Sequence, residues 1–232
     1  MIDTLIEFAP LLWRGLLVTI QVTLLGIALT VVVAFVAGLS GLSKYWFIRW
    51  PSYVFVEFFR GSGLIVQMFW LFFALPLFGI NLPPLVAGVL ALGLNMGAYG
   101  SEIVRGTIAS RPKGQTEASI ALGLSRTQRL WRILIPQSIP AMLPPFGNVM
   151  IDLLKNTSLV SLVTVADLTW AADTIRTNTG QTVEAFLAIL VLYYLLSLLL
   201  GRLVDFLERA FALERKAHGV SRNRTLWGVL TK

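Results

Sequence analysis

A carboxylate and an ammonium group, Asp152 and Lys155, lie three residues apart within an otherwise apolar stretch. On a helix, two side chains at this spacing share a face and can form an ion pair. The next residues, Asn156, Thr157 and Ser158, add amide and hydroxyl groups. A locally unwound helix would present this set to a zwitterionic solute, whereas a structural ion pair or a lysine reaching an interface is the alternative. Both interpretations stay open, and all five residues are candidates for a substrate pathway.

Two amide side chains, Gln67 and Asn95, lie within other long uncharged stretches. Amides at such positions commonly form hydrogen bonds between membrane helices. Contact with a solute is the second interpretation. We therefore include both residues among the candidates for the pathway.

Two further charged pairs repeat the three-residue spacing at the edges of apolar stretches. They are Glu57 with Arg60 and Glu102 with Arg105. At these positions we expect structural ion pairs rather than contacts with a solute.

The composition indicates that these residues belong to a membrane protein. Of the 232 residues, 56% are hydrophobic and 13% are charged, and the mean hydropathy is +0.76; a charged fraction of about 25% is usual in a globular domain. One histidine and no cysteine leave too few side chains for a disulfide framework, a reactive thiol or a His/Cys metal cluster. We expect no metal site and no catalytic residues.

The apolar stretches predict an all-α, polytopic membrane bundle of about five transmembrane helices, since one span needs about 20 apolar residues. The first stretch is Gly15–Ser43. The second and third lie within Gly61–Ser101 and are separated by a Gly-Pro-rich loop at 79–84. The fourth begins after Pro136 and is irregular or broken, and the fifth lies between Glu184 and Arg202.

Basic residues in short loops stay on the cytoplasmic side of a membrane. They cluster after the first stretch, between the third and fourth, and after the fifth, at Lys44, Arg49, Arg105, Arg111, Lys113, Arg126, Arg129, Arg132 and from Arg202 to Lys232. The N-terminus is therefore predicted outside and the C-terminus in the cytoplasm. We expect one transmembrane domain over residues 1–216, with a cytoplasmic loop at about 110–136, and a cytoplasmic tail over 217–232.

The long cytoplasmic loop predicts a helix, a glycine elbow and a second helix. Thr116 is expected to cap the first helix, and Gly123 to end it in the left-handed conformation. Ser125 and Gln128 form an S-x-x-Q capping box that starts the second helix, which we expect to end at Pro136.

The first of these helices carries a small apolar face. Ala118, Ala121, Leu122 and Leu124 form it, with Glu117 at the start of the helix. A face of this kind can fit a groove in a partner protein.

The same loop resembles the EAA loop of ABC importer permeases. That pattern is E-A-A, three residues, G, nine residues and I-x-L-P, and here it reads Glu117-Ala118-Ser119, Gly123, Ile133 and Ile135-Pro136. Ser119 replaces the second alanine and Ile135 replaces the leucine. Three further segments resemble the polar amino-acid uptake subgroup, namely 57–61, 99–106 and 155–159.

The resemblance implies a permease subunit in the bacterial cytoplasmic membrane. Such a subunit pairs with a second copy or a sister permease, binds an ABC ATPase dimer and receives substrate from an extracytoplasmic binding protein. The chain lacks a G-x-x-x-x-G-K-[ST] loop, so it is expected to be no enzyme and to hold no cofactor, with ATP and Mg²⁺ bound by the partner ATPase. Coupling to that ATPase is implied for Glu117, Ala118, Ser119, Ala121, Leu122 and Gly123.

The implied function is import of polar amino acids, or of amino-acid-like compatible solutes such as ectoine, by alternating access. A self-sufficient secondary transporter or channel is the alternative, although we find no internal repeat of the kind that completes such a carrier. An intramembrane enzyme is disfavoured because no metal or nucleophile set is recognisable. The basic residues follow the membrane leaflets, so we expect no nucleic-acid partner.

Overall fold

The computed structural model describes residues 7–217, and these form helices joined by short turns. Nearly all of the predicted tail, 217–232, lies outside the described residues. The α-helices, in chain order, are α1 Ala9–Gly41, α2 Trp46–Gly61, α3 Leu64–Phe69, α4 Pro84–Ala109, α5 Lys113–Ala121, α6 Arg126–Arg129, α7 Ile135–Asn156, α8 Leu168–Thr179 and α9 Thr182–Ala217.

Three helices are long and apolar enough to cross a membrane alone: α1, α4 and α9. Two bent pairs, each counted as one span, bring the number to five. In the second span, α2 meets α3 and its continuation to Phe78 at 104°, and in the fourth, Arg126–Val163 meets α8 at 52°. The prediction of an all-α bundle with about five spans is confirmed.

The most extensive helix contact in the bundle joins α1 to α4. Gly93 and Gly97 of α4 make it possible, because a Cβ atom at either position would lie 2.5 Å from a side-chain carbon of Leu29 or Val33, respectively. Small residues four apart allow two membrane helices to pack backbone against backbone. This pair forms the centre against which the broken spans pack.

The second span is sharply bent after Gly61, a feature that the sequence analysis did not specify. The structure shows a helix, α2, that ends at Gly61. Ser62 and Gly63 then adopt extended conformations, with ψ of 140° and 138°. Two consecutive extended residues between two helices produce the sharp bend.

The fourth span is irregular, as the sequence predicts. Helix α7 ends at Asn156 and a 3-10 segment, Thr157–Val163, follows. Thr164 then takes a left-handed conformation, with φ of 65°, before α8 begins at Leu168.

The loop at 110–136 confirms two local predictions and corrects two. Gly123 is left-handed, with φ of +72°, and the capping box of Ser125 and Gln128 is present. The predicted cap at Thr116 is wrong, because the helix already begins after Pro112 at Lys113.

Pro136 does not end the helix as predicted. A π-helical segment, Leu130–Leu134, precedes it, and the amide of Ile135 bonds five residues back to Leu130. Because this wider turn shifts the hydrogen-bond pattern at the proline, the chain continues without interruption into α7.

Candidate functional site

A cavity of about 790 Å³ lies beside the break in the second span. The break itself forms one wall, α4 forms the next, and the end of α7 forms the third. The lining residues are Arg60, Gly61, Ser62, Gly63, Leu64, Ile65, Val66, Asn95, Met96, Tyr99, Val149, Asp152, Lys155, Asn156 and Leu159.

Charges of both signs face this cavity. On α7, the Lys155 Nζ atom lies 4.0 Å from Asp152 Oδ1, and the two side chains are 61% and 64% exposed. This distance is the limit of an ion pair, so both groups keep capacity for a ligand. Across the cavity, the Arg60 guanidinium lies 5.3 Å from the centre of the Tyr99 ring, a cation–π contact that holds it in place.

Two amides converge on one backbone carbonyl at the break. Asn95 Nδ2 and Gln67 Nε2 each donate a hydrogen bond of 2.8 Å to Phe59 O. Gln67 Nε2 also approaches the carbonyl and hydroxyl oxygens of Ser62, at 3.0 and 2.8 Å. These bonds attach the end of α2 to both α3 and α4.

The structure brings together four of the seven residues that the sequence nominated for a substrate pathway. Asn95, Asp152, Lys155 and Asn156 line the cavity. Gln67, Thr157 and Ser158 do not line it.

The three remaining candidates have other contacts. Gln67 is buried and bonded to the break. Thr157 is fully buried and its hydroxyl donates to Leu154 O at 2.7 Å. The Ser158 hydroxyl donates to Lys155 O at 2.9 Å, and its side chain faces a separate apolar cleft against α9.

Sequence reasoning missed Arg60 and Tyr99 as cavity residues. Arg60 was expected to pair with Glu57, yet no ion pair joins them in the structure of residues 7–217. A signal was present, because Arg60 is followed by Gly61-Ser62-Gly63, a run that rarely continues a helix. The other expected pair, Glu102 with Arg105, is formed at 2.5 Å.

The loop at 110–136 presents an apolar surface without a partner in the described chain. Glu117, Ala118 and Ala121 are exposed, and Leu122 is 76% exposed. Ser119 differs, because it is buried and its hydroxyl donates to Thr116 O at 2.7 Å. Five of the six residues nominated for coupling thus face outward together, with the left-handed Gly123 at their end.

Hydrogen bonds fasten this loop to the bundle. The Arg126 guanidinium donates to Leu42 O, at the end of α1, at 2.7 Å. Arg111 donates to Gln137 O at 3.2 Å. These two bonds join the loop to the end of α1 and to α7. Among the described residues, no group of three or more His, Cys, Asp or Glu side chains is placed to hold a metal ion.

Comparison with known proteins identifies the family. Residues 26–213 match the family described as binding-protein-dependent transport system inner membrane component. A probable amino-acid ABC transporter permease of Sinorhizobium fredii is 46% identical over 203 residues, which are 85% of each chain. The L-cystine transport system permease of Bacillus subtilis is 36% identical over 88% of this chain and 87% of its own. The glutamine permease of Escherichia coli is 35% identical, over 86% and 92%.

Solved structures agree with the sequence relatives. A crystal structure of an amino acid ABC transporter with histidines superimposes with a TM-score of 0.83 at 33% identity, covering 89% of this chain and 96% of that one. The inward-facing methionine ABC transporter shares the fold, with a TM-score of 0.75 at 21% identity over 87% and 96% of the chains. The chain therefore belongs to the inner-membrane components of binding-protein-dependent transport systems, as an amino-acid ABC transporter permease.

Proposed function

We propose that this permease imports polar amino acids, or amino-acid-like solutes such as ectoine, by alternating access across the bacterial cytoplasmic membrane. Its N-terminus is outside and its C-terminus is in the cytoplasm. The observation that carries the proposal is the cavity at the break of the second span, where an anion, two cations and two amides face one space.

The charges of this cavity complement a zwitterion. Asp152 is the partner for an α-ammonium group, and Lys155 with Arg60 are the partners for an α-carboxylate, because charged groups form the stronger hydrogen bonds. Asn156 and Asn95 offer amide groups to a polar side chain. The volume of about 790 Å³ falls within the range of about 300 to 1,000 Å³ that is usual for small-molecule sites.

The exposed surface of the cytoplasmic loop supports a coupling role. Glu117, Ala118, Ala121 and Leu122 form a small knob that fits a groove of an ABC ATPase, and Gly123 permits the tight turn after it. ATP and Mg²⁺ are bound by that ATPase dimer. Substrate arrives from an extracytoplasmic binding protein, and a second copy or a sister permease completes the pathway.

Uptake in proteoliposomes tests this proposal. The vesicles contain the permease, any neighbouring permease encoded with it, the ATPase and the binding protein, and a panel of labelled polar amino acids and ectoine is supplied with or without internal ATP. We expect uptake that requires both ATP and the binding protein. Gradient-driven uptake by this chain alone would overturn the proposal in favour of a secondary carrier.

The coupling role has its own test in the same vesicles. A Gly123→Val permease is expected to lose substrate-stimulated ATP hydrolysis and uptake, because a β-branched residue is strained at a φ of +72°. Gly106→Val is the matched control, since its Cβ would meet nothing within 4 Å and its φ is not positive. Normal uptake and normal ATPase stimulation by Gly123→Val would contradict the coupling role.

A further inference from the structure

The end of α2 leaves a backbone carbonyl that its own helix cannot satisfy. In a continuous helix, Phe59 O would accept from the amide of Gly63, but Gly63 is extended and follows the break. An unpaired carbonyl within a membrane is costly because no water is available to solvate it. Phe59 O instead accepts from Asn95 of α4 and Gln67 of α3, both at 2.8 Å.

Both amides are almost completely buried. Asn95 is 4% exposed and Gln67 is 6% exposed. Gln67 does not line the cavity, and the donating nitrogen of Asn95 is already bonded to Phe59 O. Gln67 is therefore not a primary substrate contact, and one of the two N–H groups of Asn95 is committed to the break.

The two glycines at the break have open space around them. A Cβ atom at Gly61 would meet nothing within 4 Å, and one at Gly63 would meet only Val66 Cγ2, at 3.9 Å. At the break itself, the hydrogen bonds that converge on Phe59 O are therefore the contacts that join the end of α2 to α3 and α4.

We propose that Asn95 and Gln67 are positioning residues that fix the 104° break of the second span by donating jointly to Phe59 O. The break carries Arg60 and the residues from Gly61 to Val66, which are one wall of the cavity. The two amides thereby set the position of Arg60 relative to Asp152 and Lys155, and so the affinity for substrate. This inference rests on the proposed function of the cavity.

Gln67→Met is the informative variant, because it keeps the shape of the side chain, removes the donor and lies off the cavity. The matched control is Thr23→Val, a buried residue of α1 whose hydroxyl donates to Thr19 O at 2.7 Å, far along the chain from the break. In the proteoliposome assay with the full transporter, we expect Gln67→Met to raise the half-saturating substrate concentration by about 3- to 10-fold, the factor that one or two hydrogen bonds represent. The maximal rate is expected to change less than twofold, and the control is expected to leave both values unchanged.

A distance measurement tests the same inference without transport. The chain has no cysteine, so spin labels can be attached through Tyr53→Cys and Phe73→Cys, two exposed positions on either side of the break. The labelled permease is diluted with unlabelled copies in the assembled transporter. We expect a narrow distance distribution that broadens in Gln67→Met and broadens further when Asn95→Leu is added.

Two outcomes would overturn the inference: a distance distribution that does not broaden in Gln67→Met, or a half-saturating substrate concentration equal to that of Thr23→Val. A raised half-saturating concentration without broadening would make Gln67 a substrate contact. If the unaltered transporter shows no ATP-dependent uptake, the proposed function fails, and the distance measurement still decides whether the amides hold the break.

Discussion

The two broken spans of this bundle are held in different ways. At the break in the second span, neither Gly61 nor Gly63 would place a Cβ within 3.8 Å of another residue, and two amides hold the carbonyl of Phe59. At the break in the fourth span, the chain is packed on the core. Val160 and Val163 are fully buried there, in a cluster that includes residues of α1, α3 and α4.

Polar contacts reinforce the packing of the fourth span. Asp167 is fully buried, and its carboxylate accepts from the Trp170 amide at 3.0 Å and from the Tyr193 hydroxyl at 3.1 Å. The Leu168 amide donates to the Thr19 hydroxyl at 3.2 Å. The start of α8 is thus bonded to both α1 and α9.

This difference divides the cavity into a fixed wall and an adjustable wall. Asp152 and Lys155 lie on the span that packing fixes. Arg60 lies at the open break, where two amides bond the carbonyl of Phe59. Under the proposed function, the charges on the fixed wall would select the ligand and the adjustable wall would change its access.

The most severe test of the comparison removes Asp167. Asp167→Ala eliminates the N-cap of α8 and leaves the Tyr193 hydroxyl without this acceptor, so we expect a loss of about 2 to 4 kcal/mol in the free energy of unfolding. The measurement is denaturant unfolding of the permease in detergent. Asp173→Ala is the control, since its surface ion pair with Arg176 is worth at most about 1 kcal/mol. Equal losses would show that the fourth break is not fixed by this buried carboxylate.

The next effect concerns the charge on the fixed wall. Lys155→Met is expected to raise the half-saturating substrate concentration by about 10- to 100-fold, the value of one charged hydrogen bond. Uptake kinetics provide the measurement, and Lys44→Met, a lysine outside the cavity, serves as the control. Identical kinetics for the two variants would remove the fixed wall from substrate binding.

A moderate effect is expected where a glycine gains a side chain. Gly93→Ala places a Cβ 2.5 Å from Leu29 and should destabilise the bundle by about 1 to 3 kcal/mol. Gly61→Ala has open space and should stay within about 0.5 kcal/mol of the unaltered protein. Unfolding of both variants in detergent compares them directly, and a larger loss for Gly61→Ala would show that packing also holds the second break.

The smallest predicted effect is an increase, rather than a loss, in the free energy of unfolding. Thr164→Gly relieves a left-handed β-branched residue, a strain of roughly 1 to 2 kcal/mol, and the greater chain entropy of glycine offsets part of it. We expect a net stabilisation of about 0.5 to 1 kcal/mol by the same unfolding assay. Thr174→Gly within α8 should instead destabilise by a few tenths of a kcal/mol. A loss at Thr164 would show that its conformation is not strained.

Local chemistry explains what the sequence predicted correctly. A span is recognisable from about 20 uncharged residues, Gly123 from its place at the end of a helix, and the capping box from Ser125 and Gln128 three positions apart. Asp152, Lys155 and Asn156 stand close together within one apolar stretch, and the structure places them on one wall of the cavity. Each of these signals is contained in a few neighbouring residues.

The features that were missed depend on distant residues or on competing backbone patterns. Arg60 and Tyr99 come together only because the second span bends, and the bend is held by a bond between Asn95 and Phe59, 36 positions apart. Pro136 was expected to end a helix, but a π-helical turn accommodated it. Neither a long-range hydrogen bond nor a shifted helical register leaves a pattern in the neighbouring sequence.

The close packing of α1 on α4 also constrains how the protein is made. The two helices are separated by the segment from Leu42 to Pro83, which a ribosome synthesises in about 2 to 8 seconds at roughly 5 to 20 residues per second. During that interval α1 resides in the bilayer without its main partner. The chain carries no charged residue from Gly15 to Ser43, so lipid can solvate α1 until α4 is synthesised. The glycines at 93 and 97 then allow α4 to replace that lipid on the surface of α1.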